Sequence, residues 1–269
     1  MTHLFTPRIL TGFTTYPSSD DPILTLVTLA DKELGVHRVT SSTTHKLVIP
    51  PVAVPGGDAT TQAWEAVFPE GSINPGNKTS PHGGFGFYLR GPIHFADALK
   101  ELERHAEVVF GYSVLFEEGF EFVKGGKLPG IYGVGELYAY LPQTDRNTER
   151  LLLVPPQSIQ HPDYGFSVGR GAFSFTPGQW TRVTQRVKMN SFGKQDGEIE
   201  VYINGQSVLC ASGLELRTNE GPDGRVQGLH MQTFFGGHTP DWASPKDQRA
   251  WFANISGAIL KPAYGHDEL

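Results

Sequence analysis

The chain has 269 residues, with 32 glycines, 20 prolines and a formal net charge of −6, which fits one large domain better than several small ones. The acidic balance argues against a general nucleic-acid-binding protein, because such proteins carry a broad basic surplus. No apolar run is long enough to cross a membrane as a helix, and the single cysteine, Cys210, excludes an intrachain disulfide.

Short alternating runs separated by glycine and proline clusters follow one another along the chain, which is typical of antiparallel sheets. About a dozen such runs predict an all-β fold, a jelly-roll β-sandwich of two antiparallel sheets with a concave cleft. One short surface helix is predicted over residues 93–105, where Phe95, Leu99 and Leu102 recur at helical spacing. We expect a single domain over residues 1–269, in which residues 1–50 contribute N-terminal strands and loops.

The segment 120–130 is predicted to end a strand in two glycines that allow a kink or a close approach to another chain. Lys124 precedes this pair and Lys127 follows it, so two ammonium groups lie near one turn.

The segment 135–141 alternates so regularly that, as a strand, it sends Leu137, Ala139 and Leu141 to one face. Tyr138 and Tyr140 then share the opposite face. A core strand does not need two outward phenols, so we expect a ligand to use them.

Two later segments have the same two-faced pattern. Over residues 180–189, Val183, Val187 and Met189 are predicted to face inward, and the opposite face is cationic with Arg182, Arg186 and Lys188, beside Trp180. Over residues 229–237, Leu229, Met231 and Phe235 point one way and His230, Gln232 and Phe234 the other. For any single arginine, a solvated strand surface is an equal alternative to a ligand site.

Phenols next to cations favour one kind of chemistry, the β-elimination of a uronic-acid polysaccharide. The carboxylate must be screened, the C5 proton removed and the departing O4 protonated. A free phenol has a pKa of about 10. A tyrosine that acts as a base near neutrality therefore needs nearby cations such as Lys127, Arg186 or Lys188 to stabilise its phenolate. Arginine also matches a carboxylate with two parallel hydrogen bonds.

Other chemistries have weaker support in the sequence. The histidines are scattered and show no zinc or iron spacing, so we expect no metal and no cofactor. A glycosidase would need paired carboxylates, for which Glu198 and Glu200 share a strand face. They lie beside an Asn204-Gly205 hairpin turn and are better interpreted as solvated edge charges.

Six motifs in order over about residues 80 to 260 resemble polysaccharide lyase family 14 and the related fungal glucuronan lyases. They are FEEGFEFVKGGKLPG from Phe116, GELYAYLP from Gly135, SVGRGAFSFTPGQW from Ser167, QRVKMN from Gln185, DGEIEVYING from Asp196 and QTFFGG from Gln232. The resemblance implies a jelly-roll lyase acting on alginate or glucuronan.

The same resemblance assigns roles to single residues. Lys127 would neutralise the carboxylate or support the base, and Tyr138 and Tyr140 would form the catalytic pair, with Tyr140 favoured as base and acid in turn. The strand faces described above add Arg186, Lys188, His230 and Gln232 as expected substrate-binding residues, together with Arg170 and with Lys124 as the alternative lysine.

One departure from the family pattern bears on activity. Relatives have a longer segment between the GGKLPG turn and the Tyr-x-Tyr strand, including a strand that supplies an arginine, whereas here residues 131–135 join the two directly. Arg170 or Arg186 would then have to supply the charge. A non-catalytic carbohydrate-binding protein on the same scaffold is therefore the alternative.

The expected partner is an anionic polysaccharide, with no nucleic acid, no membrane and a monomeric state. The resemblance implies an extracellular protein, yet the first thirty residues lack the cationic start of a signal peptide. The last four residues, His266 to Leu269, have the form of an endoplasmic-reticulum retention signal, which matters only if the chain enters that compartment.

Overall fold

The computed structural model describes residues 5, 8–101, 107–132, 141, 144–161, 165–217 and 225–261. Tyr138, Tyr140 and the C-terminal residues 266–269 lie outside the described residues. Numbered in chain order, the strands are β1 (Ile9–Thr14), β2 (Leu24–Leu26), β3 (Val36–His37), β4 (Leu47–Val48), β5 (Ala63–Phe68), β6 (Phe85–Leu89), β7 (Glu107–Phe116), β8 (Gly126–Lys127), β9 (Gly130–Tyr132), β10 (Ile159–His161), β11 (Gly165–Ser167), β12 (Trp180–Lys188), β13 (Gly197–Ile203), β14 (Gln206–Leu214), β15 (Gly228–Phe235) and β16 (Gln248–Leu260).

Two sheets form a sandwich, which confirms the predicted fold class. Among the described residues, the large sheet has nine strands in the order β14-β13-β12-β7-β16-β1-β2, with β5 paired to β16 and β4 to β5. The small sheet has the order β3-β6-β15-β8, and β9 also pairs with β15. Strands β1 and β2 run parallel, and the pairs around β7, β12 and β15 are antiparallel.

The main hydrophobic core lies between the two sheets. Strand β7 supplies Phe110, Tyr112 and Val114 from the large sheet, and β6 faces them with Phe85 and Phe87. Their rings are densely packed because alternate residues of each strand point to the same layer. The predicted inward residues Val183, Val187, Met189 and Leu141 also belong to this core.

The outer face of the large sheet is covered as well, so every residue of β7 is buried. Two smaller apolar clusters lie on that face. The first contains Phe5, Ile9, Leu24, Val109, Ala258 and Leu260. The second contains Val54, Ala63, Leu115, Trp251 and Ala253.

Two α-helices are described, α1 (Ile93–Glu101) and α2 (Asp145–Leu152). Helix α1 confirms the predicted helix over residues 93–101 and buries Phe95 and Leu99. Residues 102–105 of the predicted range lie outside the described residues. Helix α2 was not predicted. Its N-cap, Thr144, accepts a hydrogen bond from the backbone N–H of Asn147 at 3.2 Å, which is a recognisable start signal. The helix has little apolar periodicity, since its buried residues are Asn147 and Leu151.

Candidate functional site

The outer face of the small sheet carries the polar residues predicted from strand alternation. In β15, Leu229 and Met231 are fully buried in the core, and the intervening His230 and Gln232 lie on the opposite side. The predicted two-faced pattern of this strand is therefore confirmed. We call the outer surface of the small sheet the cleft face.

His230 forms part of an aromatic row across the cleft face. Tyr88 of β6 lies directly opposite it in the strand register, and the two rings stack with centroids 4.0 Å apart and an interplanar angle of 8°. The guanidinium carbon of Arg38 lies 5.8 Å from the Tyr88 ring centroid. The row thus ends in an exposed cation, and neither Tyr88 nor Arg38 was identified from the sequence.

The side chain of Gln232 stays accessible because its partner residue on the neighbouring strand is a glycine. Gly86 is its partner in the register, and a Cβ at that position would lie 2.7 Å from Thr40 Oγ1 and 3.5 Å from Gln232 Nε2. A larger residue would collide with Thr40 and cover the amide. Gln232 is therefore available to bind a hydroxyl or a carboxylate.

Lys127 reaches the cleft face because two glycines precede it. Gly125 has φ +111, and a Cβ on Gly126 would lie 2.1 Å from the carbonyl oxygen of Phe234, so only glycine permits this close approach. This confirms the predicted role of the glycine pair. Lys127 pairs with Phe234 in β15, and paired residues share a face of the sheet, so Lys127 is placed on the side of Gln232.

The backbone that follows Lys127 is held by a buried amide. Gln185 of β12 donates from Nε2 to the carbonyl oxygen of Pro129 at 3.0 Å, and its Oε1 accepts from the N–H of Ile131 at 3.0 Å. The Tyr112 hydroxyl donates to the same carbonyl at 3.3 Å. Gln185 was missed in the sequence analysis, although a polar residue between the inward-facing Val183 and Val187 is the signal that could have identified it.

A cavity of about 210 Å³ lies beside this segment. Lys127 and His230 both line it, together with Tyr112 and Phe173. Burial raises the pKa of the Tyr112 phenol far above its ordinary value, so this tyrosine has a structural role and cannot serve as a base near neutrality.

Lys124 lies in the turn before β8 and is already engaged. Its ammonium group pairs with Asp241 and lies 5.7 Å from the ring centroid of Trp242. The hydrogen bond from Lys124 lowers the pKa of Asp241 to about 2. Both side chains of the pair are about half exposed. Lys127 lines the cavity with His230 and Lys124 does not, so Lys127 is the better candidate of the two lysines.

Arg186 and Lys188 do not lie on the cleft face, which corrects the expectation of one common groove. Arg186 pairs in register with Val109 of the outer apolar cluster, so it lies on the far side of the large sheet. Its guanidinium contacts three carboxylates, those of Glu107 (2.8 Å), Glu198 (2.6 Å) and Glu200 (3.2 Å).

These contacts also affect the pKa of Arg186. Burial alone would lower the pKa of Arg186, but the hydrogen bonds to Glu198 and Glu107 outweigh it and raise that pKa. Lys188 pairs with Glu198 at 3.2 Å. Glu198 and Glu200 are therefore partners of a buried arginine instead of solvated edge charges, and this pairing gives no support to a glycosidase pair.

The remaining predicted residues are placed as follows. Arg170 lies in an exposed loop, where its backbone N–H donates to Gln157 O at 2.6 Å. Tyr138 and Tyr140 are outside the described residues. Within the part of the chain that the structure describes, no group of three or more His, Cys, Asp or Glu side chains could hold a metal ion, and no helix is long and apolar enough to span a membrane.

The family model described as Polysaccharide lyase 14 matches residues 57–135 and 132–255. The two matched segments meet where the sequence analysis expects the shortened connection. No curated protein matches the sequence.

Several solved structures share the fold. A PL-14 alginate lyase from Aplysia kurodai has a TM-score of 0.66 and 25% identity, with 94% of this chain and 99% of that chain covered. The alginate lyase vAL-1 from Chlorella virus has a TM-score of 0.56 and 21% identity, with 85% and 93% covered. A mutant of the alginate lyase Aly36B in complex with alginate tetrasaccharide has a TM-score of 0.53 and 17% identity, with 88% and 91% covered.

Proposed function

The chain belongs to the polysaccharide lyase 14 family, and from this premise we propose that it cleaves an alginate-type or glucuronan-type uronic-acid polysaccharide by metal-independent β-elimination. The proposal treats residues 1–269 as one domain that acts on the polysaccharide as a monomer. The observation that carries it is the placement of Lys127 on the cleft face beside His230 and Gln232.

The cleft face offers each group that a bound uronate needs. The ammonium of Lys127 would screen the carboxylate, which acidifies the C5 proton by stabilising the charge that develops when that proton leaves. Gln232 would donate to the carboxylate or to a hydroxyl, and the stacked rings of Tyr88 and His230 would support a sugar ring. Arg38 would hold a neighbouring anionic unit at the far end of the row.

The chemical step would use the two tyrosines of the predicted pair. A phenolate would remove the C5 proton, the C5–H electrons would form the C4=C5 double bond, and the electrons of the broken C4–O4 bond would leave on O4. If Tyr140 acts alone, it gives the proton taken from C5 to O4 and ends as the phenolate again. If one tyrosine is the base and the other the acid, a proton must then pass from the first to the second to restore the starting state. The Lys127 ammonium would keep the phenolate stable near neutrality.

The relatives support alginate as the first substrate to test. The Aplysia kurodai and Chlorella virus proteins are alginate lyases, and the Aly36B mutant holds an alginate tetrasaccharide. In this chain the net charge of −6 makes a local cation such as Lys127 the main attraction for an anionic polymer.

A non-catalytic carbohydrate-binding protein is the second candidate. It is favoured by the short connection over residues 131–135 and by the meeting of the two matched segments at residues 132–135. The arginine of the missing strand has no counterpart there. A binding protein would keep the aromatic row and Lys127 but lack the geometry for proton transfer.

One assay separates the two candidates. Alginate and glucuronan are incubated with the protein, and the absorbance of the unsaturated uronyl product is followed. Elimination predicts rising absorbance that Tyr140→Phe abolishes. Tyr138→Phe removes the same atom two positions away, and its effect on the absorbance tells whether one phenol or both take part in the chemical step. Saturable binding of either polymer without new absorbance would favour the binding protein instead.

A further inference from the structure

A row of small residues crosses the outer face of the large sheet. Four neighbouring strands contribute one residue each, and the register pairs Thr184 with Gly111, Gly111 with Ser256, and Ser256 with Thr14. All four are buried. On both sides of this row the same face is apolar, with Val109 on one side and Leu115 on the other.

The row is the floor of a cavity of about 250 Å³. Tyr16, Ser19 and Pro55 from the N-terminal loops form one wall, and Trp180 and Arg182 from β12 form another. The volume lies just below the range of about 300–1,000 Å³ that is typical of small-molecule sites, so there is room for a single sugar ring. The cleft face lies on the other side of the sandwich.

The floor is lined by hydrogen-bonding groups at fixed positions. The hydroxyls of Thr14 and Ser256 are 2.7 Å apart. Asn254 donates from Nδ2 to Pro55 O at 3.2 Å and to Ser113 Oγ at 3.3 Å. Its Oδ1 is buried and has no hydrogen-bond partner among the described residues. Buried acceptors are nearly always paired with protein or with ordered water, so this oxygen is an acceptor that a sugar hydroxyl could satisfy.

The aromatic wall has a fixed orientation. The indole Nε1–H of Trp180 donates to Val52 O at 3.1 Å, which holds the ring against the rim of the cavity. A ring that is already oriented loses little conformational freedom when a sugar stacks on it. Tyr16 is fixed too, because its ring packs where a Cβ on Gly56 would lie, 2.3 Å from Cε2.

Arg182 gives the cavity its charge. It is the one charged residue among the described lining residues, its side chain is exposed, and none of the described ion pairs involves it. Arg186, which lies on the same face of β12, instead forms ion pairs with three carboxylates. A guanidinium whose N–H donors are not used in ion pairs can bind a carboxylate through two parallel hydrogen bonds.

We propose that this cavity is a second saccharide site that binds one uronate unit, separate from the cleft. The carboxylate of the sugar pairs with Arg182, its apolar face stacks on Trp180, and its hydroxyls bond to Asn254 Oδ1 and the hydroxyl row. The site requires no elimination chemistry, so it holds whether the cleft cleaves a polymer or only binds one.

The test follows the indole N–H signal of Trp180 by NMR, since this side chain lines the cavity. The ¹⁵N-labelled full chain is titrated with glucuronate and, separately, with glucose, and the Trp180 signal is assigned with Trp180→Phe. We expect glucuronate to shift this signal saturably at millimolar concentrations. Arg182→Ala weakens the apparent affinity by about tenfold or more, and Arg146→Ala, an exposed arginine on α2, leaves it unchanged.

Three outcomes would overturn the proposal. They are an unmoved Trp180 signal in the presence of saturating glucuronate, an equal response to glucose, and an Arg182→Ala variant that binds glucuronate as well as the parent protein does. A loss of polysaccharide cleavage in the cleft would leave all three readouts intact, so the two sites are tested separately.

Discussion

The two outward faces of the sandwich carry similar cations in different surroundings. On the large sheet, Arg186 is 11% exposed and lies among three carboxylates. On the small sheet, Lys127 lies at a cavity that it shares with His230. The first arrangement is an ion-pair cluster within the fold, whereas the second is the one that we propose for a ligand.

The comparison shows that cations on one strand face do not by themselves indicate an anion-binding site. Alternation places Arg182, Arg186 and Lys188 on one face of β12, but their state depends on the strands on either side. Glu107 of β7 and Glu198 and Glu200 of β13 neutralise the second half of the face, while the first half faces Ser113. A cation indicates an anion site only where the neighbouring strands supply no carboxylate.

The largest expected effect separates the two lysines near the glycine pair. Lys127→Ala should lower kcat/KM for elimination by about 10³-fold, because the charge that screens the uronate is lost. Lys124→Ala should lower it by about threefold at most, since that ammonium is engaged by the exposed Asp241. Initial rates of unsaturated product measure both, and equal losses would show that the cleft was assigned the wrong lysine.

The next effect concerns stability on the opposite face. Arg186→Met removes one of the two arginine partners of Glu107, whose side chain is 3% exposed and keeps its ion pair with Arg8. It also removes the arginine from Glu198 and Glu200, so it should lower the free energy of unfolding by about 3 kcal/mol. Arg182→Met is the matched control on the same strand face and should change it by about 0.5 kcal/mol or less. Urea denaturation measures both, and similar midpoints for the two variants would contradict the different roles assigned to the arginines.

From the sequence, the face of a strand on which a residue lies could be predicted better than the residues of other strands that it contacts. The two-faced patterns of β12 and β15 and the close approach at Gly126 could be predicted because they depend on residues near in sequence. Glu107 as a partner of Arg186 could not be predicted, because β7 lies far from β12 in the chain and pairs with it only in the fold. For the same reason, Tyr88 and Arg38 were not connected to His230. Glu198 and Glu200 lie on β13, the next strand after β12, and the sequence pattern was wrongly interpreted as solvated edge charges.

Gln185 and helix α2 were missed for different reasons. Gln185 lies in the inward row of β12, and its purpose depends on the backbone of Pro129 and Ile131, which no local pattern reveals. Helix α2 is short, and its inward residues Asn147 and Leu151 do not form an apolar stripe. Of the predicted catalytic residues, Lys127 lies on the cleft face, and the catalytic roles of Lys127, Tyr138 and Tyr140 all stay predictions.

A smaller effect is expected from the amide that holds the segment after Lys127. Gln185→Leu leaves the N–H of Ile131 unpaired and should cost about 2 kcal/mol of stability. It should also lower kcat, because Lys127 is no longer fixed. Stability is measured by urea denaturation and kcat by the rate of unsaturated product.

Gln248→Leu provides the control for Gln185. Gln248 accepts a hydrogen bond from the backbone N–H of Glu121 at 2.9 Å and donates one to its carbonyl oxygen at 3.2 Å. Gln248→Leu should therefore lower stability by a similar amount, with less effect on kcat. If both variants lowered kcat alike, the activity loss would reflect general loosening of the fold, and Gln185 would have no positioning role.

The smallest effect is the acid sensitivity that the carboxylate cluster adds. Burial opposes the charge of Glu198, but hydrogen bonds from Arg186 and Lys188 outweigh it and leave its pKa lowered. A carboxyl group with a lowered folded-state pKa contributes stability above its unfolded pKa, about 4.3, and loses it as the pH falls through the folded value. The urea midpoint should therefore fall below about pH 5. In Arg186→Met this fall should be shallower, because Glu198 keeps only Lys188, and an equally steep fall would place the acid sensitivity elsewhere in the molecule.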